Sequence, residues 1–335
     1  MASDPPRRLG LKCQRWEMAY PIVIAGHVMA TIGVVEVTIS ERGFAGRGEA
    51  AGIFYFGDTP ESLATTIEAV RGPIEDAADR AEIARLLPSG GARNAVDSAL
   101  WELDSYLQSR PVWQVADLTA PQPLLTTMTI GADDPASVGA RAKDACQTAQ
   151  AIKLKLNGDG ADAERVRTLR QARADVWIGV DANQSLDGDG LADLLPTLVD
   201  CRVSLIEQPC RVGSEELLRN LGSPIPLAAD ESAQSVDDLE RLVGLFDFIN
   251  IKLDKCGGLT AALEMTAAAR LRGFGVMVGN MGGTSLAMAP GFLAAQGCSV
   301  VDLDGPIYLK RDRNAPVTYD NGYLDVPPKA WGFAS

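Results

Sequence analysis

The side chains best suited to chemistry recur at one place in a repeating pattern, inside or just after short β-rich runs. In Ile152-Lys153-Leu154-Lys155-Leu156 the alternation is strict, so both lysines share one strand face and the aliphatic residues the other. The next three runs end in Asp181, Glu207 and Asp230, with Glu231 beside the last. Asn250-Ile251-Lys252-Leu253 carries a further lysine, and Asp302-Leu303-Asp304 places two aspartates on one face. A single charged residue at a strand end is most often a solvated loop residue; the joint pattern is what carries the argument. Three carboxylates drawn together repel one another unless a cation intervenes. Hard oxygen ligands with positions left open for water and substrate suit Mg²⁺. A lysine beside a divalent cation has its pKa lowered and can act as a base. Lysines on opposite sides of such a site could remove a proton from one face of a carbon and return it to the other. A metal holding an adjacent carboxylate would stabilise the charge that forms between the two steps.

The elements that would position these residues follow from the period of the chain. Eight β-rich runs occur at Leu124–Ile130, Ala151–Leu156, Val176–Asp181, Val203–Glu207, Pro226–Asp230, Phe248–Lys252, Gly275–Gly279 and Ser299–Leu303. Segments with helical spacing lie between them, such as Asp162–Arg173, Val236–Leu245 and Leu259–Arg272. Strands alternating with helices imply parallel crossovers, and eight such units predict an α/β fold of the (β/α)₈ TIM-barrel type. Barrel chemistry sits at the C-terminal strand ends, where the carboxylates fall. Residues 1–117 break the rhythm and read as an α+β capping domain. It has β-rich stretches at Ile22–Ile24 and Ala30–Ile39 and a Gly-rich turn at Gly43–Gly48, then helices near Glu61–Val70, Ala77–Leu86 and Ala92–Ser109. Residues 118–305 form the barrel, and the tail 306–335 is expected to pack back on the first domain. The Asn157–Gly160 and Asp187–Gly190 stretches lack the last ligand of a calcium loop and read as βα loops and helix N-caps.

Composition removes several classes of function. The 335 residues carry a formal net charge of −13, against nucleic-acid binding and against docking on anionic lipid. Six scattered cysteines form no CxxC pair, which points to a reducing compartment. Residues Met1 to Lys12 have no apolar run after their basic residues, so no signal peptide is expected, and no stretch of about 18 apolar residues is present to span a membrane. The expectation is a soluble, cytoplasmic protein; self-association into a homo-oligomer stays open. With a single histidine, His27, read as a packing or surface residue, proton chemistry falls to lysine, carboxylate, tyrosine or cysteine.

In five motifs the chain resembles the enolase superfamily, specifically its muconate-lactonizing-enzyme-like subgroup. They are Ile152-Lys153-Leu154-Lys155, Val180-Asp181-Ala182-Asn183, Ile206-Glu207-Gln208-Pro209, Ala229-Asp230-Glu231-Ser232 and Ile251-Lys252-Leu253-Asp254-Lys255-x-Gly257-Gly258. The resemblance implies that Asp181, Glu207 and Asp230 bind Mg²⁺, that Lys155 and Lys252 are the acid/base pair, and that Lys153 touches the substrate carboxylate. Asn183 and Glu231 would support the site. Strand parity favours Lys252 over Lys255, which is expected on the opposite parity, in the loop. Asp302-x-Asp304 resembles the Asp-x-Asp with which dipeptide epimerases hold the substrate's α-ammonium group. Asn280, Met281 and Gly282 resemble the substrate-lining segment of those enzymes, although a tight strand-to-helix turn explains the glycines equally well. Thr129 is a further candidate substrate contact.

The reading implied is Mg²⁺-dependent epimerisation of L,L-dipeptides by 1,1-proton transfer at the α-carbon of the C-terminal residue. The alternative is a muconate cycloisomerase, o-succinylbenzoate synthase or N-acylamino acid racemase reaction, which leaves Asp302 and Asp304 unexplained. A Schiff-base lyase and a catalytically silent barrel are the remaining readings. In this family an arginine in the capping loops, near Met18–Met29 and Ala51–Asp58, would mark an acidic second residue. Tyr20–His27 has none, so the sequence speaks against an Ala-Glu preference.

Overall fold

The computed structural model describes residues 6–24, 27–144 and 146–332, with the side chains of Val23, Ile24 and His27 outside the description. The reading of His27 as a packing or surface residue therefore lies outside the described residues. The chain opens with three antiparallel strands, β1 (Arg8–Ile24), β2 (His27–Glu41) and β3 (Phe44–Ala50). The Gly43–Gly48 segment is not the turn expected. Only Arg42 and Gly43 turn, and the following glycines lie in β3. The reason is a close helix: a Cβ on Gly46 or Gly48 would fall about 2 Å from the Ala99 or Ala95 carbonyl of helix Gly91–Gln108. Glycine is therefore required by packing at both positions, since any side chain would drive the helix off the sheet. Helices Pro60–Glu68 and Arg80–Leu86 complete this layer, the first capped by Thr59. Its core is Val35, Val37 and Ile39 of β2 against Ile67, Ile74, Ala95 and Leu103.

From residue 124 the chain builds β4 (Leu124–Leu125), β5 (Met128–Ile130), β6 (Ala151–Lys155), β7 (Trp177–Asp181), β8 (Leu205–Glu207), β9 (Leu227–Ala229), β10 (Phe248–Lys252), β11 (Gly275–Gly279) and β12 (Val300–Val301). Strands β5 to β12 form one eight-stranded parallel sheet in sequence order. A hydrogen bond of 2.9 Å from Thr127 N to Val301 O links its two ends, so the sheet curls into the barrel the period predicts. Two expectations are refined. The run Leu124–Ile130 divides, because Leu124 and Leu125 pair antiparallel with β14 (Tyr323–Asp325), itself joined to β13 (Thr318–Asp320). The helix expected over Val236–Leu245 shortens to a 3₁₀ turn at Val236–Asp238 and one helical turn at Leu239–Leu242.

On β6, Ile152 and Leu154 are fully buried among the surrounding helices, each contributing roughly 1.5–3 kcal/mol. A one-residue slip would exchange them for Lys153 and Lys155, so the register that packs the barrel wall also turns the lysines inward. The tail returns to the N-terminal layer: Trp331 Nε1 donates to Arg47 O at 2.9 Å, and Lys310 N to Glu17 O at 2.9 Å. Arg313 reaches Glu36 and Glu49 of the sheet. Glu49 in turn accepts from Thr284 N at 2.7 Å and Thr284 Oγ1 at 2.6 Å, and Asp254 Oδ1 accepts from Gly52 N at 2.8 Å. These contacts hold the N-terminal layer over the C-terminal ends of the barrel strands. No helix among the described residues is long and apolar enough to cross a membrane.

Candidate active site

Strand register sets the site. Lys155, Asp181 and Glu207 are direct partners across β6, β7 and β8, so three charged side chains meet at one level of the barrel mouth. Asp230 follows the end of β9, and the ligand oxygens of Asp181, Glu207 and Asp230 all lie within 4.8 Å of one another. All three residues are buried. Burial first, and the neighbouring Asp181 second, push Glu207 up to about 8. Glu207 Oε1 accepts from Asn250 Nδ2 at 2.6 Å. Its Oε2 is buried with no hydrogen-bond partner, Lys153 Nζ standing 3.5 Å away. Crowded carboxylates with an oxygen unsatisfied fit a hard divalent cation, as the sequence predicts.

Four lysines surround this group. Lys155 Nζ donates to Asp181 Oδ2 at 2.6 Å, and Lys252 Nζ to Asp230 Oδ2 at 2.6 Å. Their strands, β6 and β10, are four apart in a ring of eight, which puts the two ammonium groups on opposite sides of the mouth. Burial works against the charged form of Lys252, but Asp230 and Glu207 outweigh it and hold its pKa above that of an ordinary lysine. A cation that engaged Asp230 would remove that restraint and favour the neutral, basic form. Lys153 pairs with Asp302 and is likewise held well above the usual range once Asp302 and Glu207 outweigh burial. Lys255 is not in a loop. It lies in the helical turn Leu253–Cys256 directly after β10, 1 % exposed, and donates to Asp230 Oδ1 at 2.6 Å and Asn250 O at 3.0 Å. It holds the far side of the Asp230 carboxylate, away from the cavity, while Lys252 lines the cavity.

Asp302 and Asp304 are both buried but differently matched. Besides Lys153, Asp302 accepts from Thr127 Oγ1 at 2.6 Å, and Lys153 holds its carboxyl below the usual range against the pull of burial. Asp304 has only neutral hydrogen-bond partners: Thr129 N at 2.8 Å, Tyr308 OH at 2.9 Å and Asn280 Nδ2 at 3.3 Å. Burial and then Asp302 push its pKa up. A carboxylate so placed has room and need for a cation.

One cavity is lined by Thr129, Lys153, Lys155, Asn183, Asp230, Glu231, Lys252, Asn280, Met281, Gly282, Asp302 and Asp304, with Asp181 and Glu207 beneath it. The structure thus brings every candidate site residue together. Asn183 Nδ2 donates to Glu231 Oε1 at 3.2 Å, and burial, then Asp230, push Glu231 up to about 7. The Gly279–Ser285 segment serves both readings at once. Gly282 and Gly283 take φ of 91° and 125° in a tight turn before helix Ser285–Ala294, and the same turn lines the cavity. Asp159 accepts a loop hydrogen bond from Ala161 N at 3.0 Å and Asp187 caps its helix by accepting from Gly190 N at 2.8 Å, in keeping with the reading of Asn157–Gly160 and Asp187–Gly190 as loops and caps.

Sequence reasoning missed Tyr308 and Asn250 as site residues; of the roof it anticipated the capping segments near Met18–Met29 and Ala51–Asp58 but not Ile32. Tyr308 lies in the tail, where no period marks it, yet it is bonded to Asp304 and to Thr129 O at 2.9 Å. Asn250 shares the strand parity of Lys252, a signal that could have flagged it. The roof consists of Met18, Ile22, Met29, Ile32, Phe54 and Tyr55.

Comparison with known proteins agrees with this geometry. The family model described as enolase C-terminal domain-like matches residues 137–333. The L-Ala-D/L-Glu epimerase of Escherichia coli K12 is 34% identical over 314 residues, 93% of this chain and 98% of that protein. An enolase family member from Agrobacterium tumefaciens, described as homologous to dipeptide epimerases and solved with sodium and L-Ala-L-Glu, is 35% identical. Its TM-score is 0.93, covering 98% of this chain and 100% of that one. The dipeptide epimerase of Methylococcus capsulatus, solved with Mg and L-Arg-D-Lys, is 29% identical with a TM-score of 0.89, covering 96% and 98%. The chain belongs to the enolase superfamily and is most like its dipeptide epimerases.

Proposed function

We propose that this protein is an isomerase that epimerises L,L-dipeptides by 1,1-proton transfer at the α-carbon of the C-terminal residue, with Mg²⁺ as cofactor. The observation that carries the reading is the placement of Lys155 and Lys252 on opposite sides of the Asp181–Glu207–Asp230 group, with a second acidic pair, Asp302 and Asp304, in the same cavity. Asp181, Glu207 and Asp230 would hold the metal, whose positive charge makes the α-proton of a bound carboxylate more acidic. Lys153, at the floor between Asp181, Glu207 and Asp302, is placed to meet that carboxylate. One of the two opposed lysines takes the α-proton, the negative charge passes to the carboxylate oxygens, and the other lysine delivers a proton to the opposite face. The configuration inverts, and no atom other than hydrogen is exchanged. Asp302 and Asp304 take the α-ammonium group, with Thr129, Asn280 and Tyr308 holding Asp304 in place. Asn183 and Glu231 support the metal end, and Met281 and Gly282 line the wall. Residues 1–117 with the tail 306–335 act as the cap over a catalytic barrel of residues 118–305, and the enzyme works in the cytoplasm.

Reactions on muconate, an o-succinylbenzoate precursor or an N-acylamino acid would put no cation beside Asp304, leaving its buried carboxylate unmatched. The direct test is incubation of an L,L-dipeptide panel with the protein and Mg²⁺, with chromatographic separation of diastereomers. An L,D product from at least one member is the expected result. A panel recovered wholly as L,L would contradict the proposal.

A further inference from the structure

The dipeptide reading, on which this inference rests, fixes where the two charged ends of the substrate go. The carboxylate meets the lysines and carboxylates of the barrel floor, and the ammonium meets Asp302 and Asp304, also on the barrel side. The two side chains are then left to face the roof. Met18 and Ile22 come from β1, Met29 and Ile32 from β2, and Phe54 and Tyr55 from the 3₁₀ turn Phe54–Phe56. Met18, Ile22, Ile32 and Tyr308 belong to one apolar cluster, with Met29 packed against it. Ile32 lies within 3.0 Å of where a Cβ on Gly282 would be, so the roof reaches the wall without a polar layer between them.

Among the described residues the roof carries no charged side chain, and its hydroxyl, that of Tyr55, accepts from Gln234 Nε2 at 3.2 Å. Between Arg15 and Arg42 the sequence contains no lysine or arginine, so no permanent cation of β1 or β2 can reach over the cavity from that segment. Arg141 touches the roof only from outside the lining, stacked on the Tyr20 ring at 4.5 Å and paired with Asp133 at 3.0 Å. The cations that line the cavity among the described residues are Lys153, Lys155 and Lys252, each already paired with a carboxylate. Glu231 adds a further carboxyl group at the lining, with one buried oxygen unpartnered. A substrate carboxylate side chain would lose its water against methionine and isoleucine and gain no cationic partner among the described roof residues, whereas an aliphatic one would gain burial.

We infer that this enzyme takes dipeptides whose side chains are uncharged and apolar, and that it discriminates against an acidic second residue. Methionine suits such a role, since its flexible thioether accommodates side chains of different shape. The selectivity named in the E. coli relative is therefore not carried by this roof.

The test is kcat/KM with Mg²⁺ for L-Ala-L-Leu, L-Leu-L-Leu, L-Ala-L-Gln, L-Ala-L-Glu and L-Ala-L-Lys. The leucine dipeptides are expected to exceed L-Ala-L-Glu on the order of a hundredfold, with L-Ala-L-Gln between them. Met29→Arg, at a half-buried position on β2, supplies the missing cation and is expected to shift the Glu-to-Leu ratio about tenfold toward Glu. L-Ala-L-Glu or L-Ala-L-Lys as the preferred substrate of the unaltered enzyme would overturn the inference while leaving the epimerase reading intact. A Glu-to-Leu ratio unmoved by Met29→Arg would also overturn it. No turnover of any member would overturn the dipeptide reading and this inference with it.

Discussion

Asp304→Asn separates dipeptide chemistry from chemistry on acylated or otherwise uncharged substrates. Asp302 is already neutralised by Lys153, but every hydrogen-bond partner of Asp304 is neutral, so Asp304 is the carboxylate that a substrate ammonium would satisfy. Asparagine retains an oxygen to accept from Thr129 N and Tyr308 OH, so the fold around β5 keeps its short contacts, and only the long 3.3 Å bond from Asn280 Nδ2 is given up with the charge. Removing one side of a buried charge-assisted hydrogen bond costs about 2–3 kcal/mol. At about 1.4 kcal/mol per decade this is a loss in kcat/KM of roughly 30- to 150-fold for a dipeptide. The assay is steady-state epimerisation of an L,L-dipeptide and of its N-acetyl counterpart, which has no ammonium group. The variant should lose ground on the first and not on the second. An equal loss on both, or none on the dipeptide, would refute the assignment of Asp304 to the ammonium.

Other consequences follow from the same geometry. Lys155→Ala and Lys252→Ala should each lower epimerisation by about 10² to 10⁴, and each should leave α-proton exchange detectable from only one of the two diastereomers; exchange from both in either variant would argue against two opposed bases. Removal of divalent metal with EDTA should abolish turnover and added Mg²⁺ restore it, and Glu207→Gln should weaken Mg²⁺ binding by calorimetry. Asp254, buried and pushed up to about 7, favours the folded state most when protonated. Its folded pKa lies above the unfolded value, so its contribution is full below about pH 4 and is lost as the pH rises through about 7. Thermal melts should show Tm falling over that window, and Asp254→Asn should flatten the slope; an unchanged slope would remove Asp254 as its cause.

The barrel floor was legible because strand parity and crossover period are properties of local sequence. Lys153 and Lys155 alternate with Ile152 and Leu154, and that alternation alone determines which way they face. The N-terminal layer was less legible, because its contacts are made at long range. The glycines at 46 and 48 looked like turn residues when read locally, and only the approach of helix Gly91–Gln108 explains them as strand residues. Lys255 was misplaced for a related reason: the chain turns helical straight after β10, so strand parity ceases to apply and the side chain swings back under Asp230. Tyr308 could not have been identified from sequence, since its partner Asp304 gives it meaning only after the tail has folded back. Of the roof residues, Met18, Ile22, Met29 and Ile32 are ordinary members of strands and Phe54 and Tyr55 sit in a 3₁₀ turn, and how they meet the cavity depends on how the sheet is set over the barrel by Glu49, Asp254 and Arg313.

The central claim is proton abstraction at an α-carbon, and mass spectrometry in D₂O reads it most directly. A library of L,L-dipeptides incubated with the protein and Mg²⁺ should yield members carrying one added deuterium at the α-carbon of the C-terminal residue, and EDTA should suppress the label. A library without label, while calorimetry confirms bound Mg²⁺, would contradict the account.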